Sequence, residues 1–149
     1  MDEKRLRDLK SETGNNAYDL ISALKEKSDV EFVEGMYWAV HDVCEQFRLY
    51  PAAGPVFSYL VDRVSTLEGD LKAAGLMTLT EFAFGTGEIP PDTVEQFESA
   101  FETYSSLIFT EIGKSLTAER DVLHGFAVIA ARAGHKEMAR VLPDIEIPR

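Results

Sequence analysis

Apolar positions along this chain recur every three or four residues, and nowhere do they alternate over a strand's length. Ala17, Leu20, Ile21 and Leu24 make one such stripe, and Asn15 or Asn16 caps it, which predicts a helix over 16–27. Ser28-Asp-Val-Glu31 has the spacing of a capping box, in which the serine oxygen takes the N3 amide while the glutamate reaches back. It opens a helix predicted over 29–48, with Phe32, Met36, Val40, Val43 and Phe47 on one face. The break from Tyr50-Pro51 to Gly54-Pro55 follows, and Pro55 suits the first turn of a helix over 55–67. Gly69-Asp70 starts a fourth over 70–84, whose Leu71, Ala74, Leu79 and Phe82 share a side that Leu76, Met77 and Phe84 widen, so that it is expected to be buried on most sides.

Beyond the loop Gly85–Asp92, a second capping-box spacing at Asp92-Thr-Val-Glu95 precedes Val94, Phe97, Phe101, Tyr104, Ile108 and Ile112. These step by three and four and predict a long helix over 92–115 with a narrow apolar seam. Thr117 and Glu119 start a helix over 118–133, Gly134 ends it, and 135–142 forms a short last helix before Pro143. The expected fold is therefore all-α, without a sheet: about seven helices in a compact bundle or a short HEAT-like solenoid of antiparallel helical hairpins. Leu123 to Leu142 slightly resembles the helix pair of an ankyrin repeat, but its first helix is a turn too long, no β-turn follows and the pattern does not recur. It is read as a generic helical hairpin and implies no function.

At 149 residues, 45% of them hydrophobic, the chain suits one domain over 1–149, with 1–14 as a frayed N-terminal segment and 143–149 as a tail. The charged start MDEKRLRDLK and the lack of any long apolar run point away from a secretory signal or a membrane span, and a cytoplasmic location is expected. The single cysteine, Cys44, excludes an intramolecular disulfide and a Cys-cluster zinc site.

Charge changes the picture once it is divided along the chain. Residues 1–30 carry seven acids and six bases and residues 113–149 five and six, whereas 31–112 carry 14 acids against Arg48, Arg63 and Lys72. The whole net charge of −11 thus resides in the middle. Thr80 to Gly113 alone holds seven carboxylates and no Lys or Arg. Such a field repels nucleic acid and anionic lipid and steers a basic partner, although acidity that only keeps the protein soluble explains the same count.

Candidate chemistry is sparse. His41 and Cys44 lie three apart on one helix, a spacing that serves a base and a thiol, but no oxyanion site or orienting group accompanies them and a packed pair is the simpler reading. Asp121 with His124, or His135 with Glu137, gives one imidazole and one carboxylate per helix, too few to define a metal site. Gly85-Thr-Gly87 leads into acid and Pro-Pro instead of a lysine or helix amides, so it reads as a loop and not as a phosphate cradle. No catalytic residue, cofactor or metal is assigned.

Two surfaces stand out instead. Trp38 lies roughly 170° from the centre of its helix's apolar face, among Glu31, Glu34, Asp42 and Glu45, with Tyr37 and His41 beside it. It is either packed under another helix, the favoured alternative, or exposed as an interface anchor. Glu95, Glu98 and Glu102 form a ridge offset by roughly 130° from the seam of the long helix; beyond Glu95 in the first turn these acids gain little from the helix dipole, and Glu98 and Glu102 repel each other. Candidate partner-binding residues are accordingly Glu34, Trp38, His41, Asp42 and Glu45 together with Glu88, Asp92, Glu95, Glu98 and Glu102. The expected function is non-catalytic association with a basic protein, as in a bacterial immunity protein or antitoxin-like inhibitor of a nuclease-type toxin, with no nucleic acid or membrane partner. A helical adaptor or regulatory subunit is the first alternative. A small helical enzyme or ligand-binding protein with a pocket near Tyr37, His41 and Cys44 is the second.

Overall fold

A computed structural model describes residues 1–144. Among them, the elements in order are α1 (Glu3–Asp8), α2 (Ala17–Lys25), α3 (Asp29–Val43), β1 (Cys44–Glu45), β2 (Arg48–Leu49), α4 (Ala53–Val64), α5 (Gly69–Thr78), α6 (Thr80–Phe84), α7 (Pro91–Glu111), α8 (Glu119–Arg132) and α9 (Lys136–Val141), closed by a 3-10 turn at Leu142–Asp144. Of the tail expected over 143–149, residues 145–149 lie outside the described residues. No helix among those described is long and apolar enough to cross a membrane.

The helix starts follow the capping chemistry of the sequence in two places. The Asn16 side chain accepts the Asp19 amide at the head of α2, and Ser28 with Glu31 forms the reciprocal capping box of α3. The second capping box does not form: α7 begins at Pro91 with Pro90 at the cap, and the Asp92 carboxylate turns away to Arg5. Proline at the first helical position has no N–H to satisfy, and the Thr93 amide two residues on is taken by the Pro90 carbonyl at 2.8 Å in place of a side-chain cap.

Three expectations are corrected. The helix over 29–48 ends at Val43, because Cys44–Glu45 pairs antiparallel with Arg48–Leu49 across a two-residue turn. Gln46 and Phe47 there have φ of 50° and 62°, left-handed for both central residues as a tight hairpin requires, so the fold is all-α with one very small sheet. Phe47 consequently leaves the buried face and is 53% exposed. The helix over 70–84 is broken at Leu79, which closes α5 and opens α6. Finally, the segment 1–14 holds α1, capped by Asp2, and Leu9 is fully buried against the core.

The core centres on α4, which buries Ala53, Val56, Phe57, Leu60, Val61 and Val64. Phe57 stacks on Phe82 with ring centroids 4.2 Å apart and meets Phe97, Phe101 and Tyr104 of α7. Tyr104, wholly buried, donates its hydroxyl to the Leu76 carbonyl at 2.6 Å, which removes the cost of burying that group and ties α7 to α5. A Cβ on Gly54 would come within 3.0 Å of Thr93, so glycine sets the closeness of α4 to α7. Helix α4 packs on α2, α3, α5 and α7, and Arg5 reaches Asp92 on the first turn of α7. Such cross-connections close a compact bundle; a solenoid's units touch only their neighbours.

Candidate functional site

Helix α3 separates its residues by face. Phe32, Met36, Val40 and Val43 are buried, while Glu34, Tyr37 and Trp38 point outward. Trp38 is 73% exposed, so the packed alternative does not hold: among the described residues no neighbouring helix covers this face. Its ring meets Tyr37 edge-on with centroids 5.3 Å apart, and Tyr37 meets His41 at 4.3 Å. The three rings form one connected strip. Trp38, Ala39, Asp42 and Gly35 also make one wall of a groove of about 550 Å³, whose other wall is Leu20, Ala23 and Leu24 from α2 with Lys27 from the connection that follows it. Glu12, Thr13 and Asn15 close one end beside His41, Asp42 and Glu45.

Local chemistry fixes the groove. At the end of α2, Arg63 donates to the carbonyls of Leu24 and Lys27 and lies over the Phe32 ring at 4.2 Å, which clamps the α2–α3 connection. A Cβ on Gly35 would stand 3.1 Å from Leu24 Cδ2, so the helices approach closely at the floor. At the acidic end, Asp42 accepts the Thr13 amide at 3.3 Å, the Thr13 hydroxyl at 2.8 Å and the Asn15 side-chain amide at 3.0 Å. Burial works against its charge, yet these donors together hold the carboxyl below its usual range, and Asp42 is ionised as it pins the loop.

Behind the strip, His41 stands between two carboxylates, with Nδ1 3.8 Å from Glu45 and Nε2 3.5 Å from Glu81 on α6. Burial raises the Glu81 pKa and the neighbouring Glu45 adds to this, while His41 opposes both. Cys44 is fully buried, its Sγ 3.7 Å from the Glu81 carbonyl, and burial with Glu81 and Glu45 nearby pushes the thiol up to about 12. It is a packed thiol, protonated at neutral pH and unsuited to nucleophilic attack. Because the two imidazole nitrogens face different carboxylates, the His41 cluster has no common centre. Among the described residues, no group of three or more His, Cys, Asp and Glu could hold a metal ion.

The ten candidate residues do not form one surface. Glu34, Trp38, His41, Asp42 and Glu45 gather along α3 and its end. Glu88 is exposed in the loop before α7, and Asp92, Glu95, Glu98 and Glu102 lie along α7. The acids of residues 80–113, which have no Lys or Arg within that stretch, are met from elsewhere in the chain at four α7 positions, while Glu88 and Glu95 have no Lys or Arg pair among the described residues. Arg5 pairs with Asp92 at 2.7 Å, Arg132 of α8 lies 3.4 Å from Glu98 and 3.8 Å from Glu102, and Lys72 of α5 pairs with Glu111 at 3.0 Å. Around the α3 groove, by contrast, Glu12, Glu34, Asp42 and Glu45 have no Lys or Arg ion pair among the described residues. Sequence reasoning left out Glu12, Asn15 and Glu81, which come to this surface from elsewhere in the chain, and placed Tyr37 only beside it.

No protein-family model matches this chain, and comparison with curated proteins and with solved structures gives no match. Its function is read from the site's own geometry.

Proposed function

We propose that this protein acts by association without chemistry or cofactor, binding a basic protein partner through the acidic and aromatic outer face of α3. The observation that carries this reading is Trp38, a large ring 73% exposed in the midst of carboxylates that have no Lys or Arg pair among the described residues. Exposing an indole costs free energy that burial in a complex recovers, and tryptophan dominates the energetics of many interfaces. The partner class that fits is a toxin domain acting on nucleic acid: its cleft must be cationic, and an acidic body that enters it blocks substrate and associates quickly under electrostatic steering. The chain then serves as an immunity-type inhibitor in the cytoplasm, where such a toxin would act. Burial of Cys44 weighs against the alternative of a thiol enzyme at this face.

The test compares the tagged chain with its Trp38→Ala variant as baits in the cells it comes from. A basic protein held by the parent, released by salt and lost from the variant is the expected result. Retention of the same partner by both baits, or catalytic turnover in a substrate screen that Trp38→Ala leaves intact, would overturn the reading.

A further inference from the structure

The α2–α3 groove is graded along its length. Lys27 occupies one end, Leu20 and Leu24 face Trp38 and Ala39 in the middle, and Glu12, Asp42 and Glu45 stand at the other end. An apolar trough with a cation at one end and three carboxylates at the other is complementary to a long side chain that has an apolar stem and a positive head. Lys27 repels that head and the carboxylates attract it, so the occupant has one orientation. We propose that this groove accepts an arginine side chain of the basic protein partner, stem along Leu20 and Leu24, guanidinium over Trp38 and against Glu12, Asp42 and Glu45. The proposal rests on the association reading above and specifies the partner's chemistry.

Arginine is preferred to lysine for two reasons. Its planar head stacks on an indole face, and its fork of donors serves several carboxylate oxygens at once. The molecule uses the same pairing internally: Arg7 lies over Tyr18 and Arg63 over Phe32, each at 4.2 Å, and Arg132 lies over Phe101 at 5.7 Å. Trp38, the aromatic that binds cations best, has no Lys or Arg over it among the described residues. Asp42 is engaged by Thr13, Asn15 and Ser11 and acts on a guanidinium through its charge, while Glu12 and Glu45 have no Lys or Arg pair among the described residues and offer the oxygens.

The experiment titrates the whole chain with a capped tri-arginine peptide and, separately, a capped tri-lysine peptide, following the Trp38 indole and Asn15 side-chain amide resonances by NMR. Tri-arginine should bind saturably and about fivefold more tightly than tri-lysine, the margin of an exposed cation–π contact. A Glu12→Gln/Glu45→Gln variant should weaken tri-arginine about tenfold, and Glu98→Gln/Glu102→Gln should change it less than about twofold. Circular dichroism checks that both variants fold. Equal affinity for the two peptides, or undiminished tri-arginine binding by Glu12→Gln/Glu45→Gln, would overturn the arginine assignment alone. The association reading fails by a different result, an unchanged basic partner on Trp38→Ala.

Discussion

Two helices of this bundle carry rows of carboxylates, and the rows differ in what answers them. On α7, Asp92, Glu98, Glu102 and Glu111 are each met by a cation from another element: Arg5 of α1, Arg132 of α8 and Lys72 of α5. These pairs link α1, α5 and α8 to the longest helix. On α3, Glu34, Asp42 and Glu45 have no Lys or Arg pair among the described residues, and the aromatic strip beside them faces water. Negative charge in a folded protein therefore does different work according to its neighbours: on α7 Glu95 alone of the candidate acids has no Lys or Arg pair among the described residues, whereas the whole α3 row does without and lies beside exposed aromatic rings.

The largest effect that would break this distinction concerns Trp38. Trp38→Ala should cost about 2 kcal/mol or more in partner binding and under about 0.5 kcal/mol in folding, since the ring fills no cavity. Affinity measurement and urea unfolding on the same sample check both halves; a large folding loss would make the face structural. On α7 the balance should invert. Lys72 and Glu111 are 3.0 Å apart and each side chain is less than one-fifth exposed, so Lys72→Met should cost about 2 kcal/mol of folding by stranding the carboxylate, with no loss of binding.

Charge reversal sharpens the comparison at a smaller scale. Glu34→Lys/Glu45→Lys should slow partner association about tenfold and flatten its salt dependence, whereas Glu98→Lys/Glu102→Lys should change it about twofold. Stopped-flow association at two ionic strengths decides, and equal slowing would mean that overall charge matters and not place.

The smallest effects lie in pH dependence, where the two sides carry opposite signs. Glu81, behind α3, has a raised pKa in the fold, so the native state holds its proton more firmly than the unfolded chain. Its contribution is present at acid pH and lost as pH rises above the ordinary value of 4.5 through the raised one. Glu111 has a lowered pKa through its hydrogen bond from Lys72, so its contribution is present above 4.5 and lost as pH falls through the lowered value. Urea midpoints across the acid range should show Glu81→Gln flattening the first slope and Glu111→Gln the second; exchanged effects would contradict the assigned environments.

Much of this architecture was legible because it is local. The stripe and cap of α2, the capping box of α3 and the seam of α7 are short-range patterns, and each marks its helix correctly. The hairpin after α3 was not legible, since Gln46-Phe47 lacks the Asn-Gly or Asp-Gly that usually announces a left-handed turn. The neutralisation of α7 was hidden for another reason: Arg5 precedes Asp92 by 87 residues, and no local pattern pairs them. For the same reason the groove's walls could not be read from α3 alone, and the angle of Trp38 to the apolar face set it opposite the core without deciding between the packed reading, which was favoured, and the exposed one that the structure has.

The exposure of Trp38 also decides what light can report about this molecule. It is the sole tryptophan, and its indole already sits in water while Phe57, Phe82 and Tyr104 are sealed inside. Native emission will resemble that of an indole in an unfolded peptide, and neutral acrylamide will quench it readily, whereas the surrounding carboxylates hold off iodide. Melting of the core therefore passes almost unseen in fluorescence, while docking of another protein registers as a blue shift. The chain carries an optical probe of company and not of integrity.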